Sequence, residues 1–195
     1  MKTTALLAAF TGLAAAIVAG PATAADKYAI DEQHVWAMYS IKHGPWANEM
    51  GIFKKVTGEI NFDKADPSKS SVKVDIDVGS LDSNFGQRDK DLSSPDFFNT
   101  AEFPKMTFVS TKVEKTGDNT GKVTGDFTLL GVTKPIVLDV VFAGEAPAPW
   151  DAKLMRVGFS AKGTITPGDF GMAKVAEYGL GPTVSLIIEA EGNHM

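Results

Sequence analysis

The sequence contains no cysteine. This absence excludes disulfide bonds, iron–sulfur clusters, thiolate zinc sites and cysteine nucleophiles. The fold of its 195 residues must therefore depend on a hydrophobic core, and a hydrophobic fraction of 44% is ordinary for a soluble globular domain. A chain of this length predicts a single domain.

Basic residues are fewer than acidic ones: 19 Lys and Arg stand against 24 Asp and Glu, which gives a formal net charge of −5. Nucleic-acid binding depends mainly on Lys and Arg side chains that contact phosphates, and anionic membrane surfaces attract basic segments. The charge balance therefore predicts no nucleic-acid partner and no attraction to anionic membranes.

The N-terminus has the composition of an export signal. Lys2 supplies a positive charge, residues 5–19 are mostly apolar, and Gly20-Pro21 precedes the small residues Ala22-Thr23-Ala24. The apolar stretch is shorter than the roughly 20 residues that span a bilayer, and the final triplet fits a cleavage site. We expect a signal peptide over residues 1–24, cleaved near Ala24, and a mature domain over residues 25–195 without stable membrane insertion. An N-terminal membrane anchor is the alternative.

The mature sequence alternates apolar and polar residues in short runs, which is the pattern of half-buried β-strands. The clearest run alternates valine and isoleucine with Lys73, Asp75 and Asp77 between residues 72 and 78. Turn signals such as Asp66-Pro67-Ser68 separate the runs. Alternation favours antiparallel sheet, and the spacing is typical of a barrel or a sandwich.

The segment near 84–104 lacks this alternation. Ser94-Pro95-Asp96 has the residue types of a helix N-cap, a first helical position and an acidic first turn. The pattern predicts a short helix through Phe97 and Phe98 that covers one end of the sheet.

The sequence offers little for catalysis or metal binding. The cluster Arg88-Asp89-Lys90-Asp91 is typical of a solvated, locally paired loop, and no Gly-x-Ser-x-Gly elbow is present. His34 and His43 have an odd spacing, which puts them on opposite faces of one unbroken strand. A zinc site needs three or four ligands. We therefore expect no catalytic residue, no metal site and no cofactor.

Several short motifs, each weak alone, follow one another along nearly the whole mature chain. They are Asp31-x-x-His34, Gly58-x-Ile60-x-Phe62-Asp63, Val78-x-Ser80-Leu81-Asp82, Arg88-Asp89-x-x-Leu92, Asp96-Phe97-Phe98, Phe103-Pro104-x-Met106-x-Phe108-x-Ser110, Gly125-x-Phe127-Thr128-Leu129-x-Gly131-Val132-Thr133-Lys134-Pro135, Gly158-Phe159-Ser160-Ala161 and Asp169-Phe170-Gly171. Taken together they resemble the YceI-like, lipocalin-like proteins of bacteria.

The resemblance implies an all-β fold, an eight-stranded antiparallel lipocalin-like barrel with a short helical segment near 84–104. It also implies a periplasmic protein that binds a long apolar lipid, such as a polyisoprenoid or a quinone tail, for carriage, storage or sensing. A barrel of about eight strands is wide enough for one small ligand. One alternative is an accessory protein or enzyme that acts on a bound quinone or lipid. The other is a stress-related structural protein whose barrel is filled by its own side chains.

Shared parity within each run predicts which side chains face such a ligand. Phe97 and Phe98 are expected either to form an apolar lid at the mouth of the barrel or to close the core as a fixed plug. Arg88 and Asp89 lie beside them, where a polar head group is expected. The predicted ligand-binding residues are Val35, Ala37, Tyr39, Ile41, His43, Phe62, Val74, Ile76, Phe97, Phe98, Phe108, Phe127, Leu129, Phe159, Leu186 and Ile188.

Trp36 and Met38 lie on the opposite parity from the inward-facing residues of the first run. Large apolar groups on an outer face usually mark a contact surface. The two side chains predict either a homodimer interface or packing beneath the Phe97-Phe98 segment.

Overall fold

The structure is a computed structural model that describes residues 25–195. The predicted signal peptide, residues 1–24, lies outside the described residues. Within them, ten β-strands follow one another in chain order. They are β1 (Asp26–His43), β2 (Ala47–Phe53), β3 (Val56–Phe62), β4 (Ser71–Asp77), β5 (Leu81–Asp82), β6 (Lys105–Lys115), β7 (Thr120–Leu129), β8 (Val132–Ala148), β9 (Asp151–Ile165) and β10 (Leu180–His194).

The strands form one closed antiparallel barrel, which confirms the predicted fold class. From β6 to β10 each strand pairs with the next, and β10 closes the sheet by pairing with β1. The early part of β1 pairs with β3 and its later part with β2, so β2 and β3 lie end to end beside it. In the same way β4 pairs with β3, and β5 pairs with β2. The ten strands therefore occupy the eight positions of the predicted barrel.

The two ends of the barrel have different coverings. At the helix end, where β1 finishes, lie helix α1 (Gly86–Ser93) and two 3-10 helices, Pro167–Phe170 and Ala173–Tyr178. At the opposite end, where β1 begins, lie the β3–β4 connection with the 3-10 helix Pro67–Lys69 and the tight β6–β7 hairpin. None of the helices within residues 25–195 is long and apolar enough to cross a membrane.

The helix lies within the predicted segment, but the predicted N-cap is wrong. Ser94 is the C-cap of α1, and its backbone is extended, with ψ of 166°. The α conformation is disfavoured for a residue that precedes proline, so Pro95 ends the helix instead of beginning one. Phe97 and Phe98 lie in the turns that follow, where the Phe97 N–H donates to the Ser94 carbonyl oxygen at 3.0 Å.

Two clusters of buried side chains lie toward the two ends of the barrel. The larger one, at the helix end, includes Phe97 and Phe170. The smaller one surrounds Tyr28, which has no exposed surface, on the side of the opposite end formed by β1, β3 and β9. The volume between the two clusters holds the candidate site.

Candidate functional site

The barrel encloses a cavity of about 540 Å³. Side chains alternate in direction along a strand, so one face of each strand lines this space. All the predicted ligand-binding residues except His43 line the cavity: Val35, Ala37, Tyr39, Ile41, Phe62, Val74, Ile76, Phe97, Phe98, Phe108, Phe127, Leu129, Phe159, Leu186 and Ile188. Apart from His43, alternation therefore identified which face of each run lines the cavity.

The structure adds lining residues that the sequence analysis did not assign. In β8 apolar residues occur on both faces, because Val137 and Val141, both nearly half exposed, lie on its outer face. Its inner face is regular and consists of Ile136, Leu138, Val140 and Phe142. Met172 and Val175 reach the cavity from the β9–β10 connection, and no periodic signal marks such residues in a sequence.

His43 does not face the cavity, contrary to the prediction. The β1–β10 register shifts between Ile41 and His43, and His43 is the last residue of its strand. Its Nδ1 atom lies 3.9 Å from a carboxylate oxygen of Glu49, and its ring centroid lies 5.4 Å from that of Trp46. Parity fails here because the shift ends the regular alternation.

Phe97 and Phe98 close the helix end of the cavity from the turns after α1. Phe97 is 6% exposed, and its ring lies 5.2 Å from that of Tyr178. Phe98 is half-buried and packs edge-on against Phe53, with a centroid separation of 5.5 Å. This packing favours a fixed plug over a lid.

Arg88 and Asp89 also lie at the helix end, where their polar groups bind the protein itself. Asp89 Oδ1 accepts hydrogen bonds from the N–H and the hydroxyl of Ser83, at 2.8 and 2.5 Å. Arg88 donates to the Ser83 hydroxyl and carbonyl oxygens and forms an ion pair with Glu49 at 2.6 Å. Neither side chain lines the cavity, so their placement gives no support to a head group beside them.

The polar lining lies at the opposite end of the barrel. Apart from the Tyr39 hydroxyl, every polar side chain in the cavity lining comes from the β3–β4 and β6–β7 connections or from the strand ends next to them. We call this set the polar end: Lys64, Ser70, Ser71, Glu114, Lys115, Asp118, Asn119 and Thr120. Burial raises the pKa of Tyr39 to about 12, so its hydroxyl stays neutral. Apart from these groups the lining is apolar, so polar side chains are concentrated at one end of the cavity and Tyr39 contributes a single neutral hydroxyl toward the other.

A hydrogen-bonded group borders the polar end. Lys64 Nζ donates to Glu145 Oε2 at 2.8 Å, and the Tyr28 hydroxyl donates to Glu145 Oε1 at 2.5 Å. The bonds from Lys64 and Tyr28 hold the pKa of Glu145 below its ordinary value. Lys64 thus connects the β3–β4 connection to β8 across the rim of the barrel, with its Nζ atom 6.0 Å from the centroid of the Phe142 ring.

A second charged cluster lies outside the cavity, where three adjacent strands meet. Ligand atoms of Asp31, His34 and Glu191 all lie within 4.8 Å of one another. The Arg156 guanidinium donates to Asp31 and to Glu191, the latter at 2.7 Å. Burial alone acts to raise the pKa of Asp31, but hydrogen bonds from His34 and the Gln33 N–H, together with the Arg156 charge, lower it. The guanidinium already supplies the positive charge that a metal ion would bring, so the geometry fits an ion-pair cluster.

The outer face of β1 carries exposed apolar surface. Trp36 is 52% exposed, whereas Met38 is half-buried. Phe98 packs on Phe53 and Phe97 on Tyr178, so Trp36 does not pack beneath that segment. A homodimer through this face stays a prediction.

Comparison with known proteins gives one consistent result. The family model of the YceI-like domain matches residues 28–192. The chain is 43% identical to Protein YceI of Escherichia coli over 179 residues, which cover 89% of this chain and 90% of that protein. It is 41% identical to a UPF0312 protein of Ectopseudomonas mendocina, over 92% of this chain and 93% of that protein.

Solved structures agree with the sequence comparison. The crystal structure of the Campylobacter jejuni YCEI protein is similar with a TM-score of 0.71 and 34% identity, covering 79% of this chain and 90% of that chain. A polyisoprenoid binding domain from Saccharophagus degradans, implicated in plant cell wall breakdown, has a TM-score of 0.64. It covers 86% of this chain and 98% of that chain, and at 15% identity the likeness concerns the fold.

Substitution of Phe98 by Ala tests the plug against the lid. We expect the free energy of unfolding to fall by about 2–3 kcal/mol, somewhat less than the 3–5 kcal/mol typical of a fully buried phenylalanine. Phe85→Ala, at a side chain 61% exposed beside the same helix, should change it by less than about 0.5 kcal/mol. Denaturant unfolding measures both variants. Unchanged stability of Phe98→Ala together with faster ligand release would establish a lid.

The Glu145 group predicts a specific acid sensitivity. Because the pKa of Glu145 is lowered in the folded state, its contribution to stability is present above the ordinary value of 4.5 and is lost as pH falls through the folded value. Glu145→Gln should be less stable at pH 7 and should lose less stability between pH 6 and pH 3. Denaturant unfolding across this range checks it, with the exposed Glu32→Gln as the control. Parallel pH profiles for Glu145→Gln and the unmodified protein would contradict the prediction.

Proposed function

The chain belongs to the YceI-like family, and we propose that its barrel binds the apolar tail of a long lipid, such as a polyisoprenoid or an isoprenoid quinone. The observation that carries the proposal is the cavity of about 540 Å³, whose lining is apolar except at one end. The structural neighbour from Saccharophagus degradans, a polyisoprenoid binding domain, supports the same class of ligand.

The physical basis is the cost of exposing a hydrocarbon tail to water. Burial of apolar surface contributes about 25 cal/mol per Å², and ligand sites of about 300–1,000 Å³ enclose most of a drug-sized molecule. Side chains from every position of the barrel line the cavity, including Val35 on β1 and Ile188 on β10. An extended, flexible tail can fill such a space without any directional contact along its length.

The cavity supports binding over the two alternatives. A barrel filled by its own side chains would leave no space of this size. For an enzyme or a redox accessory, the charged groups suited to acid–base work have other partners: Arg88 and Asp89 bind Ser83 at the helix end. We propose a protein that binds, shields and releases its ligand without chemical conversion.

We propose that the protein works in the periplasm after export. The support is the sequence of residues 1–24, which has the composition of an export signal. The match to the family model begins shortly after it and covers residues 28–192. We expect N-terminal sequencing of the protein from the periplasmic fraction to begin at Ala25. A chain that still begins at Met1, or that sediments with membranes, contradicts export as a cleaved product.

Filling the cavity tests the binding proposal. Ala161 on β9 lines the cavity, whereas Ala143 on β8 is exposed. Ala161→Phe places a large ring in the space that the tail would occupy, and a bulky group there leaves too little volume for the tail. Native mass spectrometry of the purified protein should therefore show at least about a fivefold loss of the co-purifying lipid. Ala143→Phe should retain the lipid.

Circular dichroism must show that both variants keep the fold. Equal lipid content in a folded Ala161→Phe variant would place the lipid elsewhere. If the unmodified protein carries no lipid and also fails to bind an added prenyl alcohol, the proposed function is rejected.

A further inference from the structure

We infer that the ligand of this barrel carries an uncharged, hydrogen-bonding head group, such as an alcohol or a quinone ring, and that this head lies at the polar end. The inference rests on the proposed function and extends it to the class of head group and to the direction in which the ligand lies. It excludes a phosphate or diphosphate head as the preferred ligand.

The direction follows from the asymmetry of the lining. At the helix end the lining consists of apolar groups such as Phe97, Met172 and Val175, each at most 6% exposed. The Tyr39 hydroxyl, near Arg88 and Asp89, is the single polar side-chain group of the described lining toward this end. A polar head placed there would lose its water and gain at most this one partner, which is costly. At the opposite end the lining is the polar end, where hydrogen-bonding groups and solvent are both available.

The barrel wall also changes at the polar end. The ladder between β4 and β6 stops at the pair Lys73–Val109, although β6 continues to Lys115. Beyond this pair the Val72 N–H donates to the Ser110 hydroxyl at 2.9 Å, and β6 has a register shift against β7 between Ser110 and Lys112. Past this point β6 pairs with β7 alone, and Glu114 and Lys115 of this stretch belong to the cavity lining.

The head-group class follows from the charges of the polar end. Its four charged side chains are two lysines and two carboxylates, and Lys64 is held by Glu145 at 2.8 Å. Glu114 pairs with Lys112 at 2.8 Å. Lys115 and Asp118 make no ion pair within residues 25–195, and their charges are opposite. Phosphate sites need clustered cations or a helix N-terminus, and in the described part of the chain no arginine lines the cavity.

Neutral hydrogen-bonding groups are available in the same place. The Ser70 hydroxyl accepts a hydrogen bond from the Asp63 N–H at 3.0 Å, which leaves its own hydrogen free to donate. The Asn119 and Thr120 side chains, both exposed, add amide and hydroxyl groups. Such groups match the oxygen of an alcohol or the carbonyl of a quinone, and they do not neutralise an anion.

The test compares two ligands with the same hydrocarbon chain, a prenyl alcohol and the corresponding prenyl phosphate. Their affinities for the delipidated protein are measured at low ionic strength by displacement of a fluorescent apolar probe. We expect the alcohol to bind at least about tenfold more tightly, because the phosphate would bring its charge to a site without an uncommitted cluster of cations. Equal or tighter binding of the phosphate overturns the inference but leaves lipid binding intact. If neither ligand binds, the proposed function fails as well.

Charge variants then locate the head group. Asp118→Lys at the polar end should reduce the ratio of the alcohol affinity to the phosphate affinity about three- to fivefold, as expected for an exposed charge near the phosphate. Lys115→Glu should increase this ratio. Asp91→Lys, the same exchange at an exposed position of α1 on the helix end, should leave it unchanged. Retained affinity for the alcohol shows that each variant keeps its fold. An affinity ratio that changes in Asp91→Lys and not in Asp118→Lys overturns the placement of the head group at the polar end.

Discussion

Closure of the barrel between β1 and β10 is the constraint on which the other features depend. A slip of one residue along this ladder would turn every side chain of a strand to the other face. The register is held at Ile30–Gly192 and again at Val35–Ala190, so four residues of β1 face one residue of β10. Ile30 and Val35 both line the cavity. Their odd spacing would put them on opposite faces of a regular strand, but the extra residues of this bulge turn both side chains to the inner face. Arg156 of β9, by bonding Asp31 and Glu191, links all three strands at the bulge.

The same closure explains why the interior is hollow. Aromatic side chains narrow the cavity toward its two ends: Phe62, Phe142 and Phe159 pack together on one side near the polar end, with centroid separations of 5.1–5.6 Å, and Phe127 packs on Phe170 toward the helix end. Between them the lining is mostly valine, isoleucine and leucine, which do not reach across a barrel of this size. Such a space lowers stability roughly in proportion to its volume. A bound tail fills this space and restores the lost contacts, so its binding stabilises the folded protein.

Most of the fold and of the lining could be predicted because they depend on local patterns. Alternation identified the inner face of each run, and it requires only that the strand remain regular. It was wrong at His43, where the register shifts, and it cannot distinguish the two faces of β8, where Val137 and Val141 are apolar but exposed. The helix was placed nine residues too late, with Ser94 as its N-cap where the structure has Phe85. Ser94 has a residue type suited to either end of a helix, and only the backbone before Pro95 decides which.

What the sequence could not provide is the set of contacts between distant segments. His34 and Asp31 are close in the chain, but Arg156 and Glu191 join them only when β9 and β10 lie beside β1. Likewise, Lys64 and the β6–β7 hairpin are about 50 residues apart in the chain and come to the same end only through the barrel topology. The sequence analysis placed the polar head group beside Arg88 because that cluster is the most charged local segment. Its charges, however, bind Ser83 and Glu49.

The two parts of the cavity contribute differently to recognition. The apolar part supplies affinity that grows with tail length, about 0.8 kcal/mol for each buried methylene group, but it distinguishes one hydrocarbon from another poorly. Discrimination depends on polar groups, because a head group that leaves buried donors or charges unpaired loses far more than a methylene group contributes. In this barrel these groups come from two connections at one end and the strand ends beside them, whereas the remaining length of the strands supplies the apolar wall. Loops vary more readily than the strands that carry them, so the selectivity of such a barrel can change at the polar end without loss of the apolar wall.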